Sequence, residues 1–189
     1  MEKALKQEAS DCIKIVLFGP ESTGKTTLAK QLAAHYDTLW VPEYMRKYLQ
    51  EKWNKKRERC TKTDLLPIAE GQMKAENEAS KSANRILFCD TNLLEIKLYS
   101  EYYYDGFCPV DIEKYSAENK YDFYFLTYID TEWEIDDLRD RPYDREKMFR
   151  IFETQLIDYH LQYEILKGTQ DHRFEQAIHT IEKLLKEKK

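Results

Sequence analysis

The chain has 189 residues, 42% of them hydrophobic and 34% charged, with only five glycines and five prolines, which is the make-up of one helix-rich folded domain and excludes a disordered segment. Its formal charge of -5 excludes a general attraction to nucleic acid, although a small anionic substrate needs only a local basic patch. No apolar run approaches a membrane span, and the charged N-terminal tail, residues 1–11, lacks the apolar stretch of a secretory signal, so no membrane partner and a cytoplasmic location are expected.

The first element, Cys12-Ile13-Lys14-Ile15-Val16-Leu17-Phe18, is short, β-branched and apolar and reads as a buried strand. Leu28, Leu32, Ala33 and Tyr36 then recur at helical spacing, and Leu39-Trp40-Val41-Pro42 reads as a second strand. Glu43 to Trp53 is expected to be helical and the polar segment 54–63 a loop. Behind Asp64, a good N-cap, Leu65, Ile68, Ala69, Gln72, Met73, Glu76 and Ala83 trace the inner face of a long helix. Ile86-Leu87-Phe88-Cys89-Asp90 is a strand apolar on both faces that ends in a carboxylate, and a helix is expected from about Leu93 to Tyr104. Phe123 to Thr127 is a fourth strand, followed by a charged stretch from Asp130 to Arg145. Met148, Phe149, Phe152, Leu156 and Tyr159 mark a helix, Tyr163 to Leu166 a last strand, and Phe174, Ala177, Ile178, Ile181 and Leu185 a closing amphipathic helix.

Strands alternating with helices imply parallel pairing, hence a three-layer α/β sandwich with a parallel sheet of about five strands in a single domain over residues 1–189. Cys12, Cys60, Cys89 and Cys108 have neither zinc nor redox spacing and are expected to be buried, unreactive thiols.

The chemistry concentrates in Gly19-Pro20-Glu21-Ser22-Thr23-Gly24-Lys25-Thr26, which matches G-x-x-x-x-G-K-[ST] between a predicted strand and a predicted helix, the context a P-loop requires. The glycines let backbone N–H groups wrap the phosphates of ATP, and the helix that starts near Lys25 and runs on through Thr27 adds its positive end. Lys25, read as an exposed loop residue, reaches the β and γ phosphates; Thr26 offers its hydroxyl to Mg2+. Asp90 ends its strand on the ligand-facing edge of a parallel sheet, where it would hold Mg2+ or a magnesium-bound water, the alternative being a helix cap. Glu43 follows the second strand and could accept the proton of an attacking hydroxyl, with Arg46 one turn on to hold an anionic oxygen; the alternative is a surface pair. The stretch Asp136 to Arg145 has the composition of a mobile lid that could carry Arg139, Arg141 or Arg145 onto the phosphoryl group while excluding water. Gln72, on the inner helix face, is a candidate for binding the acceptor, as is Trp133; Trp40, Tyr44, Tyr102, Tyr103 and Trp133 could stack on a planar ring, though aromatics at such spacing are more often core.

Taken in order, the phosphate loop, Val-Pro-Glu-Tyr-x-Arg at 41–46, Ile-Ala-Glu-Gly-Gln at 68–72, Phe-Cys-Asp-Thr-Asn at 88–92 and Thr-Glu-Trp-x-x-x-x-Leu-Arg at 131–139 resemble the ribosylnicotinamide kinase domain of the NadR family over nearly the whole chain. The resemblance implies a P-loop kinase that converts nicotinamide riboside and ATP to nicotinamide mononucleotide and ADP. It supports the phosphate loop, Glu43, Arg46, Asp90 and Arg139 as site residues. It does not extend to the DNA-binding segment or the adenylyltransferase domain of the long NadR proteins. Two other functions stay open: a kinase for a different nucleoside or small alcohol, which shares every catalytic residue, and a P-loop ATPase that acts as a nucleotide-dependent switch, which needs neither the lid arginines nor Glu43. A small nucleoside-like substrate and no nucleic acid are the partners expected; the sequence assigns no oligomeric state.

Overall fold

A computed structural model describes residues 4–138 and 141–187. The first strand, β1 (Ile13–Phe18), is buried at every position because its two faces serve two cores. Ile13, Ile15 and Leu17 pack with Leu28, Leu32, Ala177 and Ile181 on one side, and Val16 and Phe18 pack with Leu94, Met148, Phe152 and Leu156 on the other. A strand covered on both faces has no reason to alternate in polarity, which is why the run is apolar apart from Lys14, whose ammonium is buried against Glu76 Oε1 at 3.0 Å.

The order along the chain is β1, α1 (Lys25–His35), β2 (Trp40–Val41), α2 (Tyr44–Lys56), α3 (Leu65–Ser80), β3 (Ile86–Asp90), α4 (Leu93–Tyr103), α5 (Val110–Glu118), β4 (Phe123–Thr127), α6 (Arg145–Asp158), β5 (Tyr163–Leu166) and α7 (Gln170–Glu187). The five strands form one sheet in the order β2-β3-β1-β4-β5, all pairs parallel. With α1 and α7 on one face and α4 and α6 on the other, this is the expected three-layer α/β architecture.

Register decides what the sheet presents at its carboxyl edge. Leu17 stands opposite Asp90 across β1 and β3, so Asp90 is one residue short of the level of Phe18, where the phosphate loop begins. Glu43 follows the short strand β2, which pairs with β3 on its other side. Three successive strands thus deliver the loop and two carboxylates to one edge.

Several expectations are corrected. Segment 54–63 is not all loop: α2 runs to Lys56, where Arg57 adopts a left-handed φ of 56° that ends it, and a 3-10 turn spans Lys62–Asp64. Asp64 does not cap α3 with its side chain; it closes a capping box with Thr61 one turn earlier. Ala83 falls beyond the end of α3. Helix α5 was not anticipated, because it buries only Ile112, Tyr115 and Ser116 and so carries little periodic signal. Only Cys89 of the four cysteines is buried; the other three are partly exposed, and all four are free thiols. The N-terminal tail is packed over part of its length: Leu5 is buried among Ile68, Met73, Ile96 and Tyr115, while Gln7 bonds Asn119 and Glu76, and the Glu8 N–H donates to Asn77. Among the described residues, no helix is long and apolar enough to cross a membrane.

Candidate active site

The loop between β1 and α1 is held in shape by backbone conformations that few residues adopt. Gly19 has φ 138°, and a Cβ there would lie 2.7 Å from Thr127 Oγ1, so the position tolerates no side chain. Gly24 has φ 81° and Ser22 φ 58°. Thr23 turns inward, donating to Pro20 O at 2.8 Å and sharing a 2.7 Å hydrogen bond with Thr127 Oγ1 at the end of β4.

Lys25 is the first residue of α1 and is buried, with 8% exposure, where the sequence suggested an exposed loop lysine. Its ammonium donates to Gly19 O at 2.6 Å and Pro20 O at 3.0 Å and pairs with Glu95 Oε1 at 3.3 Å. Burial pulls its pKa down, but Glu95, Glu43 and Asp90 together outweigh burial and leave it raised. The lysine is therefore charged, in contact with Glu95 and within the field of Glu43 and Asp90.

Thr26 donates its hydroxyl to Asp90 Oδ2 at 2.5 Å, and the helix-cap alternative for Asp90 is not what the structure shows. The helix cap is made by Asn92, whose Oδ1 accepts the Glu95 N–H, and Asp90 faces the phosphate loop. Its Oδ1 is buried without a hydrogen-bond partner. Burial raises Asp90, opposed by Lys25 and the Thr26 hydroxyl. Among the described residues no three His, Cys, Asp or Glu side chains are arranged to hold a metal by themselves. The donor set suits a hard cation that takes most of its ligands from water and phosphate oxygens, as Mg2+ does with one carboxylate and one hydroxyl.

A cleft of about 900 Å³ opens over this edge of the sheet, lined on the loop side by Glu21 to Thr27, beneath by Asp90, Glu95 and Tyr99, and on the far side by Trp40, Pro42, Glu43, Met45 and Arg46. Sequence reasoning missed Glu95 and Tyr99. Glu95 stands three residues after Asn92 and passes for an ordinary first-turn acid of α4; yet its side chain turns to Lys25, and burial pushes its pKa up to about 8 against the pull of that lysine. The same reasoning missed Arg173, buried at 1% exposure in α7. It donates to Thr23 O at 2.6 Å, Gly168 O at 3.1 Å and Tyr128 O at 3.0 Å, and pairs with Asp130. One guanidinium thereby ties the phosphate loop to the segments that follow β4 and β5.

The remaining candidates do not share one place. Arg46 pairs with Asp136 Oδ2 at 2.5 Å, joining α2 to the irregular segment between β4 and α6. Arg145 donates to Thr131 O at 2.7 Å and Ser22 O at 3.1 Å and lies over the Trp133 ring at 5.8 Å; the Ser22 hydroxyl accepts the Glu134 N–H at 2.9 Å. Arg145 and Trp133 thus fasten the expected lid to the tip of the phosphate loop. Arg141 is not brought to the cleft: it bonds Asp144 at 3.3 Å and lies over the rings of Tyr102 and Tyr103. Arg139 lies outside the described residues. Gln72 does not line the cleft either; fully buried, it accepts the Tyr44 N–H at 2.8 Å and so supports the start of α2 beside Glu43.

A parallel sheet in this strand order, with a glycine-rich loop and a helix start at its carboxyl edge, is the fold of P-loop nucleoside and nucleotide kinases. The family model described as AAA domain matches residues 14–173, and the chain belongs to that family. Among curated proteins it is similar to the trifunctional NAD biosynthesis/regulator protein NadR of Escherichia coli (strain K12), 24% identical over 178 residues that cover 93% of this chain and 43% of that one. The NadR of Salmonella typhimurium (strain LT2) is 24% identical over 176 residues, covering 92% and 43%. The chain thus spans less than half the length of these relatives. Among solved structures it resembles NadR in complex with NR, with TM-score 0.77, 24% identity, and coverage of 92% of this chain and 51% of that one. Deoxyadenosine kinase from M. mycoides with bound dATP gives TM-score 0.60 at 16% identity, covering 90% and 99%. At these identities the structural likeness speaks for the fold.

Proposed function

We propose that this chain is an ATP-dependent kinase that transfers the γ-phosphoryl group to the 5′-hydroxyl of nicotinamide riboside, producing nicotinamide mononucleotide and ADP. The observation that carries the proposal is the convergence on one cleft of a charged lysine, Lys25, a hydroxyl–carboxylate pair, Thr26 and Asp90, and a further carboxylate, Glu43. Similarity to NadR, one solved structure of which is a complex with NR, supports the choice of acceptor.

The backbone N–H groups of residues 21–27 and the N-terminus of α1 would hold the triphosphate. Lys25 would exchange the carbonyls of Gly19 and Pro20 for phosphate oxygens, keeping the charge that Glu95, Glu43 and Asp90 secure. Thr26 and Asp90 would hold Mg2+, which neutralises phosphate charge when bound. The acceptor oxygen attacks the γ phosphorus, the bond to the bridging oxygen breaks with its electron pair going to ADP, and the hydroxyl proton passes to Glu43. The segment after β4, fastened to Ser22 by Arg145, would limit access of water to the γ phosphate.

The test is coupled ADP release with Mg·ATP, with nicotinamide riboside, other nucleosides or no acceptor. ADP release that depends on nicotinamide riboside supports the proposal. Equal release without acceptor favours a P-loop ATPase, and preference for another nucleoside keeps the mechanism and rejects the acceptor.

A further inference from the structure

Helix α4 runs beneath the cleft, and two of its side chains one turn apart, Glu95 and Tyr99, both line it. Each carries a buried polar atom without a hydrogen-bond partner, Oε2 of Glu95 and the hydroxyl of Tyr99. Glu95 is 2% exposed and Tyr99 is 9% exposed. Buried polar atoms are almost always paired, so two orphans on one helix face at the wall of one cleft call for an explanation.

Their surroundings are otherwise fixed. The other Glu95 oxygen is engaged by Lys25, the first turn of α4 is capped by Asn92, and Asn92 is itself held by the Tyr124 hydroxyl at 3.1 Å. The Tyr99 ring packs edge-on against Phe152, with centroids 5.6 Å apart. Neither side chain can turn to water without giving up these contacts. Both atoms are therefore placed to pair with a molecule that enters the cleft.

The chemistry of the two atoms restricts that molecule. Oε2 belongs to a carboxyl whose other oxygen accepts from Lys25, so it can accept, or donate while Glu95 keeps its proton, and a phenol can donate and accept. A sugar with neighbouring hydroxyls satisfies both atoms, since each hydroxyl can donate one hydrogen bond and accept another.

We propose that Glu95 and Tyr99 form a subsite for the hydroxyl groups of the acceptor's sugar and make the site select a ribose over a deoxyribose. This rests on the kinase reading above and adds a specificity to it. The physical ground is an asymmetry of pairing: a site built to hydrogen-bond a hydroxyl leaves its own buried groups unpaired when the analogue lacks it, and discriminates strongly for that reason.

The test is the ratio of kcat/KM for nicotinamide riboside to that for its 2′-deoxy and 3′-deoxy forms, in wild type, Tyr99→Phe and Glu95→Gln, with equilibrium binding of the same compounds as a second readout. Tyr99→Phe removes one oxygen from a packed ring and leaves the Phe152 contact. The wild type is expected to prefer the riboside over at least one deoxy form by about a hundredfold or more, and each substitution to cut that preference by about tenfold or more. Tyr99→Phe should leave the KM for ATP within about threefold, since its hydroxyl touches no phosphate-binding residue. An unselective wild type, or either variant keeping the wild-type ratio, overturns the assignment while phosphoryl transfer itself stands. Absence of transfer to every nucleoside by the wild type overturns the kinase reading instead, and this subsite with it.

Discussion

Substituting Arg173 tests how the phosphate loop is held. Its guanidinium bonds three carbonyls, of Thr23, Gly168 and Tyr128, and pairs with Asp130, so Arg173→Ala strips partners from four acceptors at once. Removing one member of a buried ion pair costs about 3–5 kcal/mol. For a chain of this size that corresponds to a fall in Tm of about 6–20 °C. Arg173→Lys keeps a positive charge but not the planar fork, and should recover only part of the loss. The two variants also separate stability from function, because the Thr23 carbonyl belongs to the phosphate loop: both should raise the KM for ATP more than that for the acceptor. Asp130 is subject to burial, which raises its pKa, but the Gly168 N–H and Arg173 prevail and hold it below the ordinary value of 3.8. Its contribution is present above that value and is lost as the pH falls through the folded-state pKa. Urea unfolding followed by tryptophan fluorescence from pH 7 down to about 3 measures both effects. An Arg173→Ala chain as stable as wild type at pH 7, with the same acid dependence, would refute the account of this clamp.

Lys25→Ala should abolish detectable ADP release while far-UV circular dichroism remains native; turnover near wild type in a folded variant would end the phosphate-loop reading. Glu43→Gln should lower kcat at saturating acceptor by about a hundredfold to ten-thousandfold with little change in ATP affinity, as steady-state kinetics will report. Glu95 keeps its proton in the folded chain up to about pH 8 but has an ordinary value of 4.5, so it makes stability fall as pH rises between those values; urea midpoints of Glu95→Gln should be flatter with pH across that window. Phe152→Ala empties a fully buried site against Phe18 and Tyr99 and should cost about 3–5 kcal/mol in equilibrium unfolding.

The parts of this architecture that were legible in the sequence are those in which one short segment carries its own signal. Ile13–Phe18 and Ile86–Asp90 are apolar on both faces because helices cover both sides of the sheet, and the phosphate loop is continuous in sequence. The placement of Asp90 beside Thr26 followed from reading strands as parallel with ligands at their carboxyl ends. What stayed hidden depends on where a long side chain turns. Glu95 has the spacing of a capping acid, and only the fold reveals that its side chain reaches Lys25 across the sheet edge. Arg173 lies 150 residues from the carbonyl it clamps, inside a helix whose pattern marks it as one more polar position. The described arginines of segment 136–145 part company for a related reason: their shared composition suggested one role, whereas Arg141 goes to the tyrosines of α4 and Arg145 to Ser22 and Thr131. Composition cannot distinguish such fates, because each depends on which carbonyl or ring the fold brings within reach.

The most direct test of the central claim is to incubate the wild-type chain with Mg·ATP and nicotinamide riboside and identify the product by mass spectrometry alongside coupled ADP release. The account predicts one nicotinamide mononucleotide formed per ADP, phosphorylated at the 5′ position, with release falling to background when the riboside is withheld or Lys25 is replaced by Ala. ADP formed at the same rate without riboside, or a riboside recovered unphosphorylated while ATP is consumed, would contradict it.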